Sequence, residues 1–212
     1  LKLAWGDAKE VTQPAKSPVK PIFTEIDGNK IIDFQHEESS YVDFDRDRLT
    51  YHMLSNEGPH LASADVNGDG REDLFIGGAK GFSSVVYLQS ADGTYTKTDQ
   101  EDIQSDKLSE DVDATFLDID NDGDQDLYVA SGGNEFGVGS MQLADRLYLN
   151  NGKGSFSKAQ DPILSANKWS TGTIAQSDIN GDGFVDLFVG SRLRPFLYGV
   201  PAPSFIYLNN QK

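Results

Sequence analysis

The chain of 212 residues contains no cysteine, only three histidines and only two methionines. The absence of cysteine excludes disulfides, thiolate zinc sites, iron–sulfur clusters and cysteine nucleophiles. No apolar run approaches the roughly 20 residues that a membrane-spanning helix needs. A start at Leu1, with neither an initiator Met nor a signal peptide, is typical of a processed or excised segment.

Positive charge is also scarce. Lys and Arg total 18 against 34 for Asp and Glu, which gives a formal net charge of −16. A phosphate-binding surface needs the opposite balance, so nucleic acid is not an expected partner. Clustered carboxylates instead suit hard divalent cations that bind through oxygen.

What the sequence does contain is a threefold internal repeat. The first Asp of each copy is Asp65, Asp118 or Asp178, so the copies are spaced 53 and 60 residues apart (118 − 65 and 178 − 118). Such a period indicates an architecture in which each copy is one supersecondary unit. The copies are "LASADVNGDGREDLFIGG" from Leu61, "TFLDIDNDGDQDLYVASGG" from Thr115 and "IAQSDINGDGFVDLFVGSR" from Ile174.

Each copy continues with short apolar runs that predict antiparallel strands. After "LFIGG", "LYVASGG" or "LFVGS" comes a second run, "VVYLQS", "RLYLNN" or "FIYLNN", and the first two copies add "DGTYTK" and "GKGSFSK". Runs of β-branched and aromatic residues separated by Gly, Asn and Asp favour hairpins, at four strands per unit. No stretch keeps a helical period beyond two turns, so the predicted class is all-β with at most local helix. The third unit stops at Lys212, after its third strand.

The acidic turn of each copy has the frame D-x-[DN]-x-D-G-x-x-D. Side chains at positions 1, 3 and 5 are expected to point inward, and position 6 is Gly70, Gly123 or Gly183, which allows a sharp turn with positive φ. Position 7 varies in type, as expected where a backbone carbonyl is the ligand, and the Asp at position 9 would complete the shell with a carboxylate. The predicted metal ligands are Asp65, Asn67, Asp69, Arg71 (carbonyl) and Asp73; Asp118, Asp120, Asp122, Asp124 (carbonyl) and Asp126; and Asp178, Asn180, Asp182, Phe184 (carbonyl) and Asp186.

Ligands that are all oxygen atoms in an irregular loop favour Ca²⁺ over Mg²⁺. The middle loop has the most acidic ligands and is expected to bind tightest, and three Ca²⁺ ions at +2 each would change the net charge from −16 to −10. An EF-hand would need Glu at position 12 and flanking helices, but position 12 is Ile76, Val129 or Val189. A dockerin-type loop also needs a following helix, which "LFIGG" does not predict.

These motifs resemble FG-GAP/VCBS repeats, the calcium-loop blades of integrin-α-type β-propellers. The stretches "DLFIGGAKG", "DLYVASGGNE" and "DRLYLNNGKGSF" are also similar to bacterial surface proteins of the ASPIC/UnbV-associated kind, and the resemblance runs from about Phe23 to Lys212. It implies a propeller of about seven blades, calcium between the first and second strands of each blade, and extracellular binding or adhesion. Three units amount to roughly half of such a ring, so we expect a fragment rather than a smaller closed assembly.

The resulting division has five parts: 1–21 as a linker or extended arm, 22–60 as a divergent blade or insertion, and blades at 61–112, 113–171 and 172–212, the last truncated. "IFTEI" at Ile22–Ile26 resembles the fourth-strand runs "TYTKT" and "SFSKA". It predicts a strand that closes a blade lying before the segment, a strand that pairs with the last blade in a circular closure, or an ordinary edge strand.

Signals for catalysis are weak. His36, His52 and His60 lie outside the repeats, and "HEE" lacks the second histidine of a metalloprotease motif, so surface or packing roles are expected. Glu110 and Asp111, just before Asp113, are either an acid–base pair or supporting partners of a calcium site.

The glycine-rich runs "GGAKG" (77–81) and "GGNEFGVG" (132–139) lack the context of a phosphate loop and predict connections between strands. The longer one, to about Ala144, is where partner contacts are expected. Nearby aromatic residues either pack in the core or stack on sugar rings; they are Phe136, Trp169, Phe196 and Tyr198.

The sequence therefore predicts a calcium-binding module of a secreted, periplasmic or cell-surface protein that binds a protein or a glycan and is not an enzyme. The alternatives are a polysaccharide-acting enzyme, which needs two carboxylates about 5–10 Å apart in a cleft, and a structural spacer held by calcium.

Overall fold

The computed structural model describes residues 21–210. Within that range eleven strands form three antiparallel sheets of four, four and three strands, each in consecutive order, which confirms the all-β prediction. Helix in the described range is limited to single turns. The first sheet contains β1 (Leu61–Ala64), β2 (Asp73–Ile76), β3 (Val85–Gln89) and β4 (Tyr95–Lys97); the second contains β5 (Asp111–Leu117), β6 (Asp126–Ser131), β7 (Arg146–Asn150) and β8 (Phe156–Lys158); the third contains β9 (Ser170–Ser177), β10 (Asp186–Leu193) and β11 (Phe205–Tyr207); the helices are α1 (Glu101–Ser105) and α2 (Pro162–Ala166), with 3-10 turns at Gly28–Lys30, Asp43–Asp45 and Met141–Leu143.

The three sheets stack face to face because their strands alternate apolar side chains between two faces. In β6, Leu127 and Val129 pack against the first sheet with Phe75 and Phe116, whereas Tyr128 points the other way, into the core shared with the third sheet. The first strand of the second sheet, β5, lies between β1 and β9. The first strands therefore line one inner edge, as in a sector of a propeller.

One further apolar cluster covers the outer face of the first sheet. Ile32 and Phe34, from the segment before β1, pack against Ile76, Val85 and Tyr87. The Tyr95 N–H also donates to the Ile31 carbonyl over 2.8 Å. This segment takes the place that a preceding sheet would occupy.

The strand predicted at Ile22–Ile26 does not form in the single chain, so that prediction is wrong here. Ile22 and Phe23 are 91% and 88% exposed. Residues 22–60, all described, have two 3-10 turns and no strand, so an irregular segment rather than a further sheet precedes β1. The predicted linker at 1–21 lies, except for Pro21, outside the described residues, and the domain limits remain predictions.

Close approach of the sheets depends on glycine at one position above all. A Cβ added at Gly132, just after β6, would lie 2.6 Å from the carbonyl oxygen of Thr171 and 2.5 Å from the Val112 side chain. Any larger residue would therefore push the second and third sheets apart.

Candidate metal loops and the opposite edge

The three acidic loops join the first and second strands of the three sheets, as predicted. Each turns at its glycine: φ is +81° at Gly70, +94° at Gly123 and +91° at Gly183, which confirms the expected positive φ. Position 12 of each frame lies in a buried strand, with Ile76, Val129 and Val189 at most 3% exposed. The helix that an EF-hand requires is therefore replaced by a strand in all three copies.

The middle loop brings its carboxylates closest together. Asp118, Asp120 and Asp122 each offer an oxygen, and these oxygens all lie within 4.8 Å of one another. The Oδ1 atoms of Asp118 and Asp124 are buried and have no hydrogen-bond partner among the described residues. Burial, followed by the charge of Asp122, raises the pKa of Asp124 to about 6. These are the properties of a site that fits a divalent cation, which would supply the missing positive charge.

The two outer loops are instead held by their own backbone. In the first loop the Asp65 carboxylate accepts N–H groups from Gly68, Asp69 and Gly70 over 2.8, 3.1 and 2.7 Å. Desolvation raises the pKa of Asp65, but the backbone donors outweigh it and hold that pKa below its usual value. The Arg71 guanidinium also pairs with Asp69. Fewer carboxylate oxygens are therefore free in this loop than in the middle one.

The third loop repeats the same turn. Asp178 accepts N–H groups from Gly181, Asp182 and Gly183 over 2.7, 3.2 and 3.0 Å. Its Asn180 amide donates to the Asp182 carboxylate over 2.9 Å. The difference between the loops agrees with the expectation that the middle loop binds a cation most tightly, which stays a prediction.

The aspartate at position 9 has a structural role that the sequence pattern does not reveal. Asp126 accepts the Ile119 N–H over 3.2 Å and the Asn150 N–H over 2.8 Å, so it ties the second loop residue to the end of the third strand. Each carboxylate oxygen keeps a second lone pair that a cation can use. Asp73 binds Val66 and Gln89 in the same way, and Asp186 binds Ile179 and Asn209, with distances from 2.8 to 3.1 Å.

Two asparagines missed by the sequence analysis connect these loops between sheets. The Asn150 amide donates to the Val66 carbonyl over 2.8 Å, and the Asn209 amide donates to the Ile119 carbonyl over 2.7 Å. Each asparagine thus holds the acidic loop of the preceding sheet. The signal was present as "YLNN" in the second and third copies, where the first has "YLQS".

Glu110 and Asp111 do not support a calcium site, which corrects that alternative. They stand at the start of β5, while the acidic loop follows its far end, about 20 Å away for a strand of this length. Asp111 is buried and paired with the Arg146 guanidinium, and Glu110 is 2% exposed and accepts the Lys80 N–H over 2.7 Å. Burial raises the pKa of Glu110 to about 8. Because both carboxylates are buried, neither is placed to meet a substrate as an acid–base pair.

The edge of the sheets opposite the acidic loops holds the remaining predicted residues. His36 hydrogen-bonds Glu38 over 2.6 Å, and His52 hydrogen-bonds Glu57 over 2.7 Å. The backbone carbonyl of His60 accepts the Gly77 N–H over 2.8 Å. The first two histidines therefore have carboxylate partners at this edge.

The four aromatic residues divide between core and surface. Phe136 is buried, as the prediction of core packing requires, and the Lys80 ammonium lies 5.1 Å from the centre of its ring. Trp169 lies 4.6 Å from the Arg194 guanidinium, and Phe196 lies 3.7 Å from that of Arg46. Tyr198 is 54% exposed.

A cleft of about 430 Å³ opens beside these surface aromatics. It lies between the segment before β1 and the β10–β11 connection, and Asn134 of the "GGNEFGVG" connection reaches its wall. Tyr51, His52, Arg192 and Tyr198 also line it. Aromatic faces beside hydrogen-bonding groups are suited to a polar ligand with apolar patches.

Stacked antiparallel sheets, joined in register and each with an acidic loop after its first strand, define a propeller-type repeat protein. Residues 65–129 and 118–189 each match a family model described as FG-GAP-like repeat, and together the matches cover more than half of the chain. The chain therefore belongs to the FG-GAP-like repeat family. Each match begins at the first Asp of one loop and ends in the strand after the next loop.

A search of curated proteins found no match for this chain. FG-GAP-like repeats are typical of extracellular proteins. In the described part of the chain, no helix has the length and apolar character needed to cross a membrane.

Proposed function

We propose that this chain is a calcium-binding propeller module of a secreted, periplasmic or cell-surface protein that binds a protein or a glycan and has no catalytic activity. The parent protein would be of the ASPIC/UnbV-associated kind, with a ring of about seven blades. The observation that carries the proposal is the group of three carboxylates at Asp118, Asp120 and Asp122, in a loop whose frame recurs in every sheet.

The residues of each loop have distinct tasks in this proposal. Carboxylate and amide oxygens at positions 1, 3 and 5 and the carbonyl at position 7 would hold the ion, while the aspartate at position 9 keeps the loop on its sheet. A bound Ca²⁺ supplies positive charge that offsets the repulsion among these carboxylates. In the middle loop, the buried unpaired Oδ1 of Asp118 is the atom that most needs such a partner.

The cleft lined by Tyr51, Arg192 and Tyr198 supports the binding role. It lies at the edge opposite the acidic loops, so calcium would stabilise the scaffold while the connections between strands contact the partner. A glycan is favoured by the combination of exposed tyrosines with an amide and a guanidinium in one cleft.

Thermal unfolding with and without calcium tests the metal assignment. A cation that binds only the folded state raises stability by about 2.7 kcal/mol at one hundred times its dissociation constant. We expect the midpoint in excess Ca²⁺ to exceed that in EDTA by several degrees, with a smaller effect of Mg²⁺. Equal unfolding midpoints in Ca²⁺ and in EDTA would refute the metal assignment.

A glycan array and a polysaccharide-hydrolysis assay on the same protein separate binding from catalysis. We expect binding without product release, and weaker binding for Tyr198→Ala than for the control Tyr95→Ala, which lies outside the cleft. Release of reducing sugar by the purified chain would favour the enzyme alternative instead.

A further inference from the structure

The cleft beside Tyr51 and Tyr198 carries the opposite charge balance to the molecule as a whole. Among the described residues, two arginines, Arg192 and Arg194, line it together with one carboxylate, that of Asp47. In the whole chain, acidic side chains outnumber Lys and Arg by 34 to 18. The partners of these three charged side chains therefore decide what kind of ligand the cleft can take.

Arg192, near the end of β10, is already neutralised. Its guanidinium binds both carboxylate oxygens of Glu57, and one of its nitrogens lies 3.1 Å from the His52 Nε2. The same His52 nitrogen lies 2.7 Å from a Glu57 oxygen. This group joins the segment before β1 to the third sheet, so Arg192 has a structural partner for its charge.

The carboxylate of the cleft is engaged as well. Asp47 accepts the Asn134 amide N–H over 2.5 Å. The same oxygen lies 3.7 Å from the Arg46 guanidinium. The partners of Asp47 are therefore an amide of the second sheet and an arginine of its own segment.

Arg194, the residue after β10, has no anionic partner in the part of the chain that the structure describes. Its guanidinium lies 4.6 Å from the centre of the Trp169 ring, and within residues 21–210 it makes no hydrogen bond or ion pair. Its Nε is buried and has no acceptor there. A guanidinium stacked on an aromatic face keeps its N–H donors in its own plane, where a ligand can meet them. Because a buried donor without an acceptor is costly, an acceptor from a ligand would be stabilising.

The repeat shows that the fold itself does not need arginine at these two positions. Arg192 and Arg194 follow Asp186, at position 9 of the third loop, by six and eight residues (192 − 186 and 194 − 186). The same two positions are uncharged in the other copies: Ala79 and Gly81 in the first, Gly132 and Asn134 in the second. The first two sheets form without them, so a role in the cleft explains Arg194 better than a role in the sheet.

We propose that the cleft recognises glycans that carry carboxylate groups, such as chains of uronic acids, with Arg194 as the donor to the carboxylate; this inference rests on the glycan-binding function proposed above. The planar fork of a guanidinium matches the two oxygens of a carboxylate. Stacking on Trp169 orients that fork. The exposed rings of Tyr51 and Tyr198 supply amphipathic faces for the sugar rings, which favours an acidic glycan over an acidic peptide.

Titration calorimetry tests the proposal with pairs of probes that differ in charge alone. The probes are oligomers of glucuronic or galacturonic acid and the same oligomers with each carboxyl group reduced to an alcohol. We expect the acidic form to bind at least about tenfold more tightly than the reduced form, and less tightly as salt is raised. A titration without protein subtracts the calcium that the acidic oligomers bind by themselves.

Substitutions at Arg194 assign the effect to that residue. Arg194→Gln should weaken binding of the acidic oligomer by about tenfold or more, whereas Arg194→Lys, which keeps the charge without the fork, should lie between wild type and Arg194→Gln. The control Lys97→Gln removes an exposed positive charge from β4, outside the cleft, and should leave the affinity unchanged.

Trp169 provides a second measurement at the cleft itself. Trp5→Phe leaves Trp169 as the single tryptophan of the chain. We expect the acidic oligomer to change its fluorescence, and Arg194→Gln to abolish that change while the thermal unfolding midpoint stays near that of the parent variant.

Three outcomes overturn the inference while the glycan-binding function stands or falls separately. Equal or tighter binding of the reduced oligomers would overturn it and leave glycan binding in place, as would full affinity in Arg194→Gln. Equal competition by an oligoglutamate peptide would show recognition of charge without the sugar, and would also overturn it. Binding of neither form of any oligomer would remove both the inference and the proposed glycan-binding function.

Discussion

Single residues in the acidic loops divide into those that would hold an ion and those that hold the loop. Asp126 binds two backbone N–H groups from different elements, whereas within residues 21–210 Asp120 accepts only the Asp122 N–H, over 3.3 Å. The frame D-x-[DN]-x-D-G-x-x-D treats these aspartates alike, because a sequence pattern records residue type and not the direction of a carboxylate.

Replacement of the two aspartates by asparagine should therefore give different results. In EDTA, Asp126→Asn places an amide N–H₂ against a backbone donor, and we expect a loss of about 1–3 kcal/mol in the free energy of unfolding. Asp120→Asn should leave that free energy within about 0.5 kcal/mol of wild type but reduce the stabilisation by calcium. Urea unfolding in EDTA and in Ca²⁺ measures both effects. Equal losses in EDTA would mean that position 9 has no clamping role.

Glu110 should make stability depend on pH. Its pKa is raised by burial to about 8, with the Lys80 N–H as its donor and with Glu38, Glu135 and Asp111 as neighbouring acids. Between its ordinary value of 4.5 and about 8, the folded state keeps a proton that the unfolded state has lost. Stability is therefore lost as pH rises through that window.

The test of this pH effect is Glu110→Gln, which keeps the shape without the charge. We expect the variant to gain about 2 kcal/mol over wild type at pH 8.5, and little at pH 4.5, since one pKa unit corresponds to about 1.4 kcal/mol. Calorimetry at several pH values measures the difference. A stability difference between the variant and wild type that does not grow with pH would contradict this prediction.

At the scale of the strand, the repeat places equivalent residues in unlike surroundings. Phe75, Tyr128 and Phe188 occupy the same position in β2, β6 and β10. The first two are fully buried against the following sheet, whereas Phe188 is 38% exposed, on the outer face beside Ile206. Their strand pattern is identical, so the difference comes from the neighbouring sheet alone.

The loss of stability when this residue is truncated to alanine should depend on its burial and not on its place in the repeat. Phe75→Ala leaves a cavity in a closed core, and we expect a cost of about 3–5 kcal/mol. Phe188→Ala removes a residue that already meets solvent, so the cost should stay below about 1 kcal/mol. Urea unfolding of the two variants measures the contrast. Similar costs would show that the outer face of the third sheet is covered in solution.

At the scale of the whole molecule, many of the acidic residues lie in three charge clusters, the acidic loops at one edge of the sheets. The formal charge of −16 includes ten acidic side chains at positions 1, 3, 5 and 9 of the loop frames: three in the first loop, four in the second and three in the third. Repulsion within each cluster opposes folding unless cations bind there.

Native mass spectrometry should therefore count three bound Ca²⁺ ions. Asp120→Ala should reduce the count to two, whereas Asp92→Ala, in an exposed turn outside the loops, should leave three. A spectrum with no bound calcium at concentrations that saturate the thermal shift would contradict the assignment of these loops.

Much of the fold follows from the sequence because the repeat reports the same local structure three times. The strands after each loop, the turns at Gly70, Gly123 and Gly183, and the three-stranded last sheet were all predicted from alternation and turn chemistry. The strand at Ile22–Ile26 was not predicted correctly. A strand needs a partner edge, and local pattern cannot show whether one lies within reach.

The sequence by itself determined the class, the repeat register and the acidic frames, because these depend on neighbours within a few residues. Only the tertiary structure decided that Asp111 and Arg146 form a buried pair and that Asn150 and Asn209 hold the loops of the preceding sheets. It also decided that, among the described residues, the middle loop alone carries a tight group of three carboxylates. Each of these depends on the packing of segments far apart in the chain, and burial sets both the cost of a charge and the need for its partner.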